Sequence, residues 1–344
     1  MSRPEQPKQF IDVLGVGKTL IQLTVERFGG MITPERIWVV TSANYKELVR
    51  EQLPQIPEEN ILMEPCMRNT APCIGYVAWK IRKRDPEASI VVSPADHFVL
   101  DTAEFRRTIE RAFDFIEGSA RVLTLGMQPT RPDTGYGYIQ SASEVGGGVC
   151  KVAAFKEKPQ REIAEQYLRE GGYYWNAGIF IWTAETAEAA IREFEPEMAQ
   201  IFDIMSARFD TALEQEVVNE LFPNCKSISI DYAVMERLGG KEISLGGKTS
   251  GVYVMPSDFG WSDLGTWGSL YTHVEKDENQ NAIIGMKNVS MIESTNCIVR
   301  ASGDIKMVLQ GLDNYIVADD NGILMVCQKD QEQRIKSFSE TLKD

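Results

Sequence analysis

The sequence predicts an α/β fold, with a doubly wound, Rossmann-like domain on a mixed, mainly parallel sheet and a small all-β domain after it. Three observations support this prediction. Short runs of β-branched apolar residues lack polar alternation, as strands buried on both faces do. Amphipathic stretches of helical length separate these runs, which is the order of βαβ units. Beyond about residue 275, short β-runs broken by Gly, Asn and Asp replace the helices.

Each element follows from its pattern, in chain order. Helices are predicted at 18–28, 45–53, 70–84 and 103–118, and strands at 36–42, 89–97, 121–127, 133–140, 153–159 and 173–184. The last helix has a cap signature, because Asp101 is followed three residues later by Glu104. A doubly wound sheet generally begins with a strand that leads into a ligand-binding loop, whereas this chain opens with SRPEQPKQF. We therefore expect that the first strand and its loop are absent from the chain.

Composition limits the classes of function. The 344 residues, 43% of them hydrophobic, can form one large and one small domain. A formal net charge of −14 disfavours nucleic acid and anionic membranes as partners. The chain has no leader pattern and no run of about 18 apolar residues, so we expect a cytoplasmic protein. The only histidines, His97 and His273, exclude a His-rich zinc site and disfavour a Ser-His-Asp triad.

Two carboxylates are candidates for a metal site. Ligands of doubly wound sheets sit outside the carboxyl ends of strands, and Asp96 lies near the end of the predicted strand 89–97. An Asp in a turn or a helix cap is an equal alternative for Asp96. Asp263 lies in a segment rich in Trp and Gly, 259–270, where it is either a second metal carboxylate or part of an aromatic corner of the core.

Glycine and amide residues within strand-like segments suggest a binding site. Gly137 marks either the close approach of a ligand or another backbone, or a simple bulge. Asn176, between bulky rings, has a short amide suited to binding a hydroxyl group. The sequence GVGKT (15–19) resembles the end of a phosphate-binding P-loop, but Asp12 stands where that motif needs glycine. A turn into the following helix is therefore the better interpretation of 15–19.

Eight motifs after the opening segment resemble one known family. SRPEQPKQF resembles the second half of the sugar-nucleotidyltransferase signature, whose first half is a strand and a Gly-Gly-x-Gly-Thr-Arg loop. The further motifs resemble, in order, the mannose-1-phosphate guanylyltransferase branch of that family: EPCMRNTAP (64–72), PADH (94–97), GYGYI (135–139), FKEKP (155–159), WNAGIF (175–180), SIDYAVMER (229–237), WSDLGTW (261–267) and GLDNYIVADDNGILMV (311–326). Single motifs are weak, but the ordered series over nearly the whole chain is specific.

The resemblance implies an activity and a set of site residues. The activity is nucleotidyl transfer from GTP to mannose 1-phosphate, giving GDP-mannose and pyrophosphate, with Mg²⁺ as cofactor. The nucleophile is an anionic phosphate oxygen, so the reaction needs no general base and the scarcity of histidine is no obstacle. The implied catalytic residues are Lys8, Asp96, Lys158 and Asp263, of which Asp96 and Asp263 would bind the metal. The implied nucleotide-binding residues are Arg3, Lys8, Asn69, Thr70, Ala71, Pro72, Pro94 and Ala95. The implied sugar-binding residues are Gly137, Glu157, Asn176 and Asp231.

The resemblance also implies a domain organisation and leaves alternatives open. Residues 1–275 would form the catalytic domain without its first strand and glycine-rich loop, and 276–344 a left-handed β-helix-like domain that helps to form homodimers. Because that loop supplies N–H groups to the nucleotide phosphates, we expect a protein made from Met1 to be poorly stable and nearly inactive. One alternative is another hexose-1-phosphate nucleotidyltransferase. The other is a noncatalytic, regulatory paralogue that binds a nucleotide sugar, although both aspartates and both lysines of the implied catalytic set are present.

Overall fold

The computed structural model describes residues 7–286, 288–301, 305–320 and 322–340, and these form two compact units. Unit 1 combines the described residues up to Glu26, the segment Ala95–Leu100 and the described residues from Gly260 onward. Unit 2 consists of Arg27–Pro94 and Asp101–Phe259. Each unit has its own cluster of buried apolar side chains.

The described residues form helices and strands with the following bounds. The helices are α1 (Leu20–Arg27), α2 (Lys46–Gln52), α3 (Thr70–Arg84), α4 (Thr102–Ile116), α5 (Arg161–Glu170), α6 (Ala184–Phe194), α7 (Pro196–Ser206), α8 (Glu214–Leu221), α9 (Glu236–Leu238), α10 (Trp267–His273) and α11 (Ile335–Glu340). The strands are β1 (Val39–Ser42), β2 (Ile61–Glu64), β3 (Ser89–Val92), β4 (Phe98–Val99), β5 (Val122–Met127), β6 (Tyr138–Gly146), β7 (Val149–Lys156), β8 (Tyr173–Thr183), β9 (Ile243–Leu245), β10 (Lys248–Ser250), β11 (Val252–Ser257), β12 (Trp261–Ser262), β13 (Ala282–Ile284), β14 (Val289–Ile292), β15 (Ile298–Ala301), β16 (Met307–Gln310), β17 (Tyr315–Asp320) and β18 (Ile323–Gln328). None of these helices is long and apolar enough to cross a membrane.

Unit 2 is built on a six-stranded sheet in the order β3-β8-β5-β11-β7-β6. β5 lies at its centre, parallel to β11 and antiparallel to β8, and all six residues of β5 are buried. β1 and β2 form a separate parallel pair. The predicted α/β class and mixed sheet are therefore confirmed.

The six-stranded sheet is less parallel than the sequence predicted. β3 pairs antiparallel with β8, and β7 pairs antiparallel with both β6 and β11. β6 and β7 are joined by a short glycine turn, and a connection of that length allows only antiparallel pairing. The apolar runs indicated buried strands correctly, but burial does not determine the direction of the neighbouring strand.

The helix predictions are confirmed, and two caps explain where helices begin. α3 has the predicted bounds, and the Asn69 side chain accepts a hydrogen bond from the Thr70 N–H at 2.8 Å. Asp101 caps α4 by accepting from the Glu104 N–H at 2.8 Å, as its cap signature predicted. α3 packs against α6 and α7, and the apolar residues at this contact belong to the core of unit 2.

Unit 1 contains the predicted all-β region. The strands of this region pair in parallel from one coil to the next, as in a β-helix. β13, β15 and β17 are parallel neighbours, and β14 is parallel to β16 on a second face. A third face is marked by the parallel bridge between Thr295 and Asp313, which are 18 residues apart. Ile298 and Ile316 stack with the same spacing and lie in the core of unit 1. β18 pairs antiparallel with β17 at the end of this sheet.

Candidate active site

A cluster in unit 1 brings together three of the predicted catalytic residues. The Nζ of Lys8 lies 3.2 Å from Oδ2 of Asp96 and also donates a hydrogen bond to the main-chain oxygen of Asp263. Residues 8 and 263 are 255 positions apart, so the fold and not local sequence joins them. We call Lys8, Asp96 and Asp263 the carboxylate cluster.

Short local structures position the two aspartates of the carboxylate cluster. Asp96 precedes β4 and Asp263 follows β12, and these two strands pair antiparallel. The Oδ1 of Asp263 accepts from the Gly265 N–H at 2.9 Å, and a Cβ on Gly265 would lie only 2.7 Å from Oδ2 of Asp263. Glycine at 265 therefore allows the chain to fold back against the Asp263 carboxylate.

The donor set of the carboxylate cluster fits a hard divalent cation that shares its coordination with a substrate. Two carboxylates are too few for an all-protein metal cage, and the described residues contain no group of three or more His, Cys, Asp or Glu side chains arranged to hold a metal. Mg²⁺ commonly binds through one or two carboxylates together with phosphate oxygens and water. The Lys8 ammonium already contacts one of these carboxylates, that of Asp96.

A second cluster, in unit 2, unites the four predicted sugar-binding residues, and we call Gly137, Glu157, Asn176 and Asp231 the amide cluster. The N–H of Asn176 donates to the oxygen of Gly137 at 2.8 Å. A Cβ on Gly137 would lie 2.5 Å from Oε2 of Glu157 and 3.5 Å from Cβ of Asn176. The glycine therefore leaves room for the Glu157 carboxylate, whereas the sequence had left both a close approach and a simple bulge open.

The amide of Asn176 is oriented by its neighbours. Its Oδ1 accepts from the Gly178 N–H at 3.0 Å, which leaves Nδ2 to donate to Oδ1 of Asp231 at 2.8 Å. One N–H of the amide and the remaining lone pairs of the Asp231 and Glu157 carboxylates can still bind hydroxyl groups. The cluster therefore presents both a donor and acceptors.

The carboxyl of Asp231 lies in an unusual backbone and electrostatic setting. Residues Asp231–Met235 form a π-helical turn, a rare geometry that occurs frequently at functional sites. Burial raises the pKa of Asp231, and the nearby negative charge of Glu157 raises it further. Lys158 is exposed, with φ of 44°, and its Nζ lies 3.4 Å from Oε1 of Glu157.

The four residues predicted to lie by the nucleotide base, 69–72, differ in their exposure to solvent. The Ala71 N–H donates to the Ile228 oxygen at 3.1 Å, and Oγ1 of Thr70 accepts from the Ile230 N–H at 2.9 Å. These bonds tie the start of α3 to the segment before the π-helical turn. Ala71 and Pro72 are buried, whereas Asn69 and Thr70 are exposed. Of these four residues, only Asn69 and Thr70 can therefore contact a ligand through their side chains.

The remaining predicted nucleotide residues lie at the end of the β3 segment. Pro94 belongs to unit 2, where it approaches Gly178, and Ala95 begins the short stretch of unit 1 that contains Asp96. Arg3 lies outside the described residues.

The structure draws attention to two charged residues, Arg27 and Glu64, that are not among the predicted site residues. Arg27 is 2% exposed, and its Nη2 donates to Oγ of Ser93 at 2.7 Å and to the oxygen of Pro94 at 3.1 Å. A basic residue in the last turn of a helix is ordinary, so the sequence of α1 gave no signal for these contacts of Arg27. Glu64 ends β2, and its Oε1 is buried without a hydrogen-bond partner among the described residues. Burial raises the pKa of Glu64 to about 7.

Comparisons with known proteins give one consistent result. A family model described as nucleotidyl transferase matches residues 3–280. The alginate biosynthesis protein AlgA of Pseudomonas putida is 36% identical over 352 residues, which is 99% of this chain and 68% of that protein. The mannose-1-phosphate guanylyltransferase RfbM of Salmonella typhimurium is 31% identical, over 100% of this chain and 69% of its own length. A crystal structure from Thermus thermophilus, described as mannose-1-phosphate geranyltransferase, has a TM-score of 0.85 at 28% identity and covers 100% of this chain and 94% of its own.

Proposed function

The chain belongs to the nucleotidyl transferase family, and we propose that it transfers the guanylyl group of GTP to mannose 1-phosphate. A phosphate oxygen of mannose 1-phosphate attacks the α-phosphorus of GTP, and the bond from that phosphorus to the bridging oxygen breaks. The products are GDP-mannose and pyrophosphate, and the electron pair of the broken bond leaves with pyrophosphate. The nucleophile is already an anion, so the residues must position charged groups and neutralise them, not remove a proton.

The observation that supports this proposal most is the carboxylate cluster. Lys8, Asp96 and Asp263 come from three distant parts of the chain, and a site for phosphoryl groups needs cations held by such residues. Asp96 and Asp263 would hold Mg²⁺, which when bound offsets negative charge on the phosphate oxygens. Lys8 would approach the triphosphate as a point charge.

The amide cluster supports the sugar half of the proposal. Its carboxylates accept hydrogen bonds from hydroxyl groups, the amide of Asn176 donates one, and Lys158 would meet the sugar phosphate. Asn69 and Thr70 would lie by the guanine through their exposed side chains, with the backbone of Ala71 and Pro72 behind them. Pro94 and Ala95 would lie close to the nucleoside, and Arg3 would assist Lys8.

Substitution of the two carboxylates tests the metal assignment. Asp96→Asn and Asp263→Asn should each abolish Mg²⁺-dependent turnover, because an amide keeps the shape but loses the charge that holds the cation. Circular dichroism should show an unchanged fold, and Asp258→Asn, at an exposed carboxylate, serves as the matched control. Near-wild-type rates in both variants would refute the assignment.

A substrate panel tests the choice of base and sugar. Pyrophosphate release should be fastest with GTP and mannose 1-phosphate among the four ribonucleoside triphosphates and several hexose 1-phosphates. A preference for another pair would make the protein a different hexose-1-phosphate nucleotidyltransferase. Binding of GDP-mannose without any pyrophosphate release would favour the noncatalytic paralogue.

We further propose a homodimer whose interface includes β18. Among the described residues β18 pairs on one side only, with β17. Its side chains Leu324 and Val326 are 61% and 49% exposed, so a second copy would cover apolar surface and an open strand edge together. The boundary near residue 275 between a catalytic and a dimerisation domain stays a prediction, and so does the cytoplasmic location.

A further inference from the structure

We propose that His97 and Trp261 are positioning residues that together hold the Asp96 carboxylate in place for the divalent cation. This inference rests on the proposed function, because it assigns Asp96 to that cation. Neither side chain was among the predicted site residues, and both lie in unit 1 with the carboxylate cluster.

The Trp261 indole determines which nitrogen of His97 carries the proton. The Nε1 of Trp261 lies 3.2 Å from Nδ1 of His97. An indole N–H can only donate, so Nδ1 must accept, and the proton of a neutral His97 then sits on Nε2. The two rings meet edge to face, with centroids 5.3 Å apart and an interplanar angle of 80°, which leaves the imidazole little freedom to rotate.

The protonated nitrogen of His97 faces the metal carboxylate. Its Nε2 lies 3.6 Å from Oδ1 of Asp96, while the other oxygen, Oδ2, lies 3.2 Å from Nζ of Lys8. Each oxygen of Asp96 therefore has one donor beside it. The distance to His97 exceeds that of a hydrogen bond, and contacts of this kind often shorten when a substrate binds.

The pair of His97 and Trp261 also connects the two chain segments that hold the carboxylates, because Asp96 precedes β4 and Asp263 follows β12. Trp261 is paired with Val99 in the β12–β4 ladder, and Asp263 follows two residues after Trp261. His97 is the immediate neighbour of Asp96 on the other strand segment. The hydrogen bond between the rings thus ties the β4 segment to the β12 segment close to Asp96 and Asp263. Residues that orient metal-binding side chains commonly affect metal affinity about 10-fold to 100-fold when replaced.

The first test observes the tautomer directly. The chain has two histidines, so the imidazole nitrogens of His97 can be assigned by ¹⁵N NMR with the help of a His273→Gln variant. At alkaline pH the wild type should show the proton on Nε2. Trp261→Phe keeps an aromatic ring but removes the N–H, and it should allow both tautomers. A wild-type proton on Nδ1, or an unchanged tautomer in Trp261→Phe, would overturn the proposal.

The second test measures binding of Mn²⁺ by electron paramagnetic resonance, for the protein alone and with GDP-mannose. Trp261→Phe and His97→Leu should weaken Mn²⁺ binding about 10-fold or more, whereas His97→Gln, whose amide can donate toward Asp96, should recover part of the loss. His273→Gln is the matched control and should bind as the wild type does. Equal affinity in all variants, or no Mn²⁺ binding by the wild type, would overturn the proposal. Transfer with another base or sugar would count against the proposed function alone.

Discussion

The fixed orientation of the Asn176 amide makes a residue-level prediction about substrate selectivity. Asn176→Ala and Glu157→Ala should raise the Michaelis constant for mannose 1-phosphate far more than that for GTP. The reason is that a sugar hydroxyl left without its partner in the bound state costs about 1–3 kcal/mol. Initial rates with each substrate varied in turn will give the two Michaelis constants.

Asp231 offers a control for the same prediction. Asp231→Asn can still accept the bond from Nδ2 of Asn176, so it should disturb mannose 1-phosphate binding less than Asp231→Ala does. A selective rise in the Michaelis constant for GTP in the Asn176 and Glu157 variants would contradict the placement of the sugar at the amide cluster.

Glu64 predicts a pH dependence of stability. Burial raises the pKa of its carboxyl from 4.5 to about 7, so between these values the folded protein keeps a proton that the unfolded chain releases. The free energy of unfolding should therefore fall as pH rises through this window. The loss is complete above about pH 7 and is on the order of 3 kcal/mol.

Glu64→Gln should remove this slope and exceed the wild type in stability at about pH 8, because a neutral amide takes the place of a buried charge. Denaturant unfolding of both proteins at about pH 5 and pH 8 is the measurement. The exposed Glu59, changed to Gln, is the control. An unchanged slope in Glu64→Gln would show that other groups cause the pH dependence.

Whether a single site residue could be predicted from the sequence depended on how unusual that residue was among its neighbours. Gly137 and Asn176 were identified because a glycine and a short amide are out of place among strand residues with bulky rings. Arg27 lies where a basic residue is ordinary, and His97 and Glu64 lie within the motifs 94–97 and 64–72 without being assigned a role there. Their roles come from the burial and partners that the fold provides, and no local pattern encodes those.

At the scale of elements, α3 was predictable to its ends whereas the sheet was not. The bounds of α3 follow from an amphipathic pattern and a capping asparagine, both of which are local. The direction of each strand depends on the strand beside it, and β8 joins β3 and β5 from more than 45 residues away along the chain. Local patterns therefore determined which segments are strands but left their pairing open.

The contact between α3 and α7 predicts the effect of one added methyl group. A Cβ on Gly75 would overlap the ring of Phe202, with Cζ at 2.9 Å. Gly75→Ala should destabilise the protein because overpacking costs about 1–3 kcal/mol, which exceeds the gain of about 1 kcal/mol in helix propensity. Unfolding in urea will measure the change.

A double-variant cycle provides the control for this contact. Phe202→Leu shortens the facing side chain, so the combined variant should lose less stability than the two single changes added together. Strict additivity, or a Gly75→Ala protein as stable as the wild type, would show that the helices separate without strain.

At the scale of the whole molecule, the open edge of β18 predicts the oligomeric state. The wild type should sediment as a dimer, and Leu324→Asp combined with Val326→Asp should sediment as a monomer, because two carboxylates cannot be buried in an apolar contact without a large cost. Analytical ultracentrifugation over a range of concentrations is the measurement.

The control for the oligomeric state is an apolar side chain of similar exposure on the other unit. Ile204 on α7 is 60% exposed, and Ile204→Asp should leave the dimer intact. A dimer that tolerates the β18 substitutions would place the interface elsewhere.

The division of unit 1 among distant stretches of chain determines when it can form during synthesis. Unit 2 is complete once Phe259 has left the ribosome, so its sheet can fold while the residues that complete unit 1 are still being translated. Lys8 must wait for Asp263, which at about 5–20 residues per second takes on the order of tens of seconds. A nascent chain from which Phe259 has just emerged would thus have its amide cluster assembled, while Asp263 is still inside the ribosome and the carboxylate cluster is open.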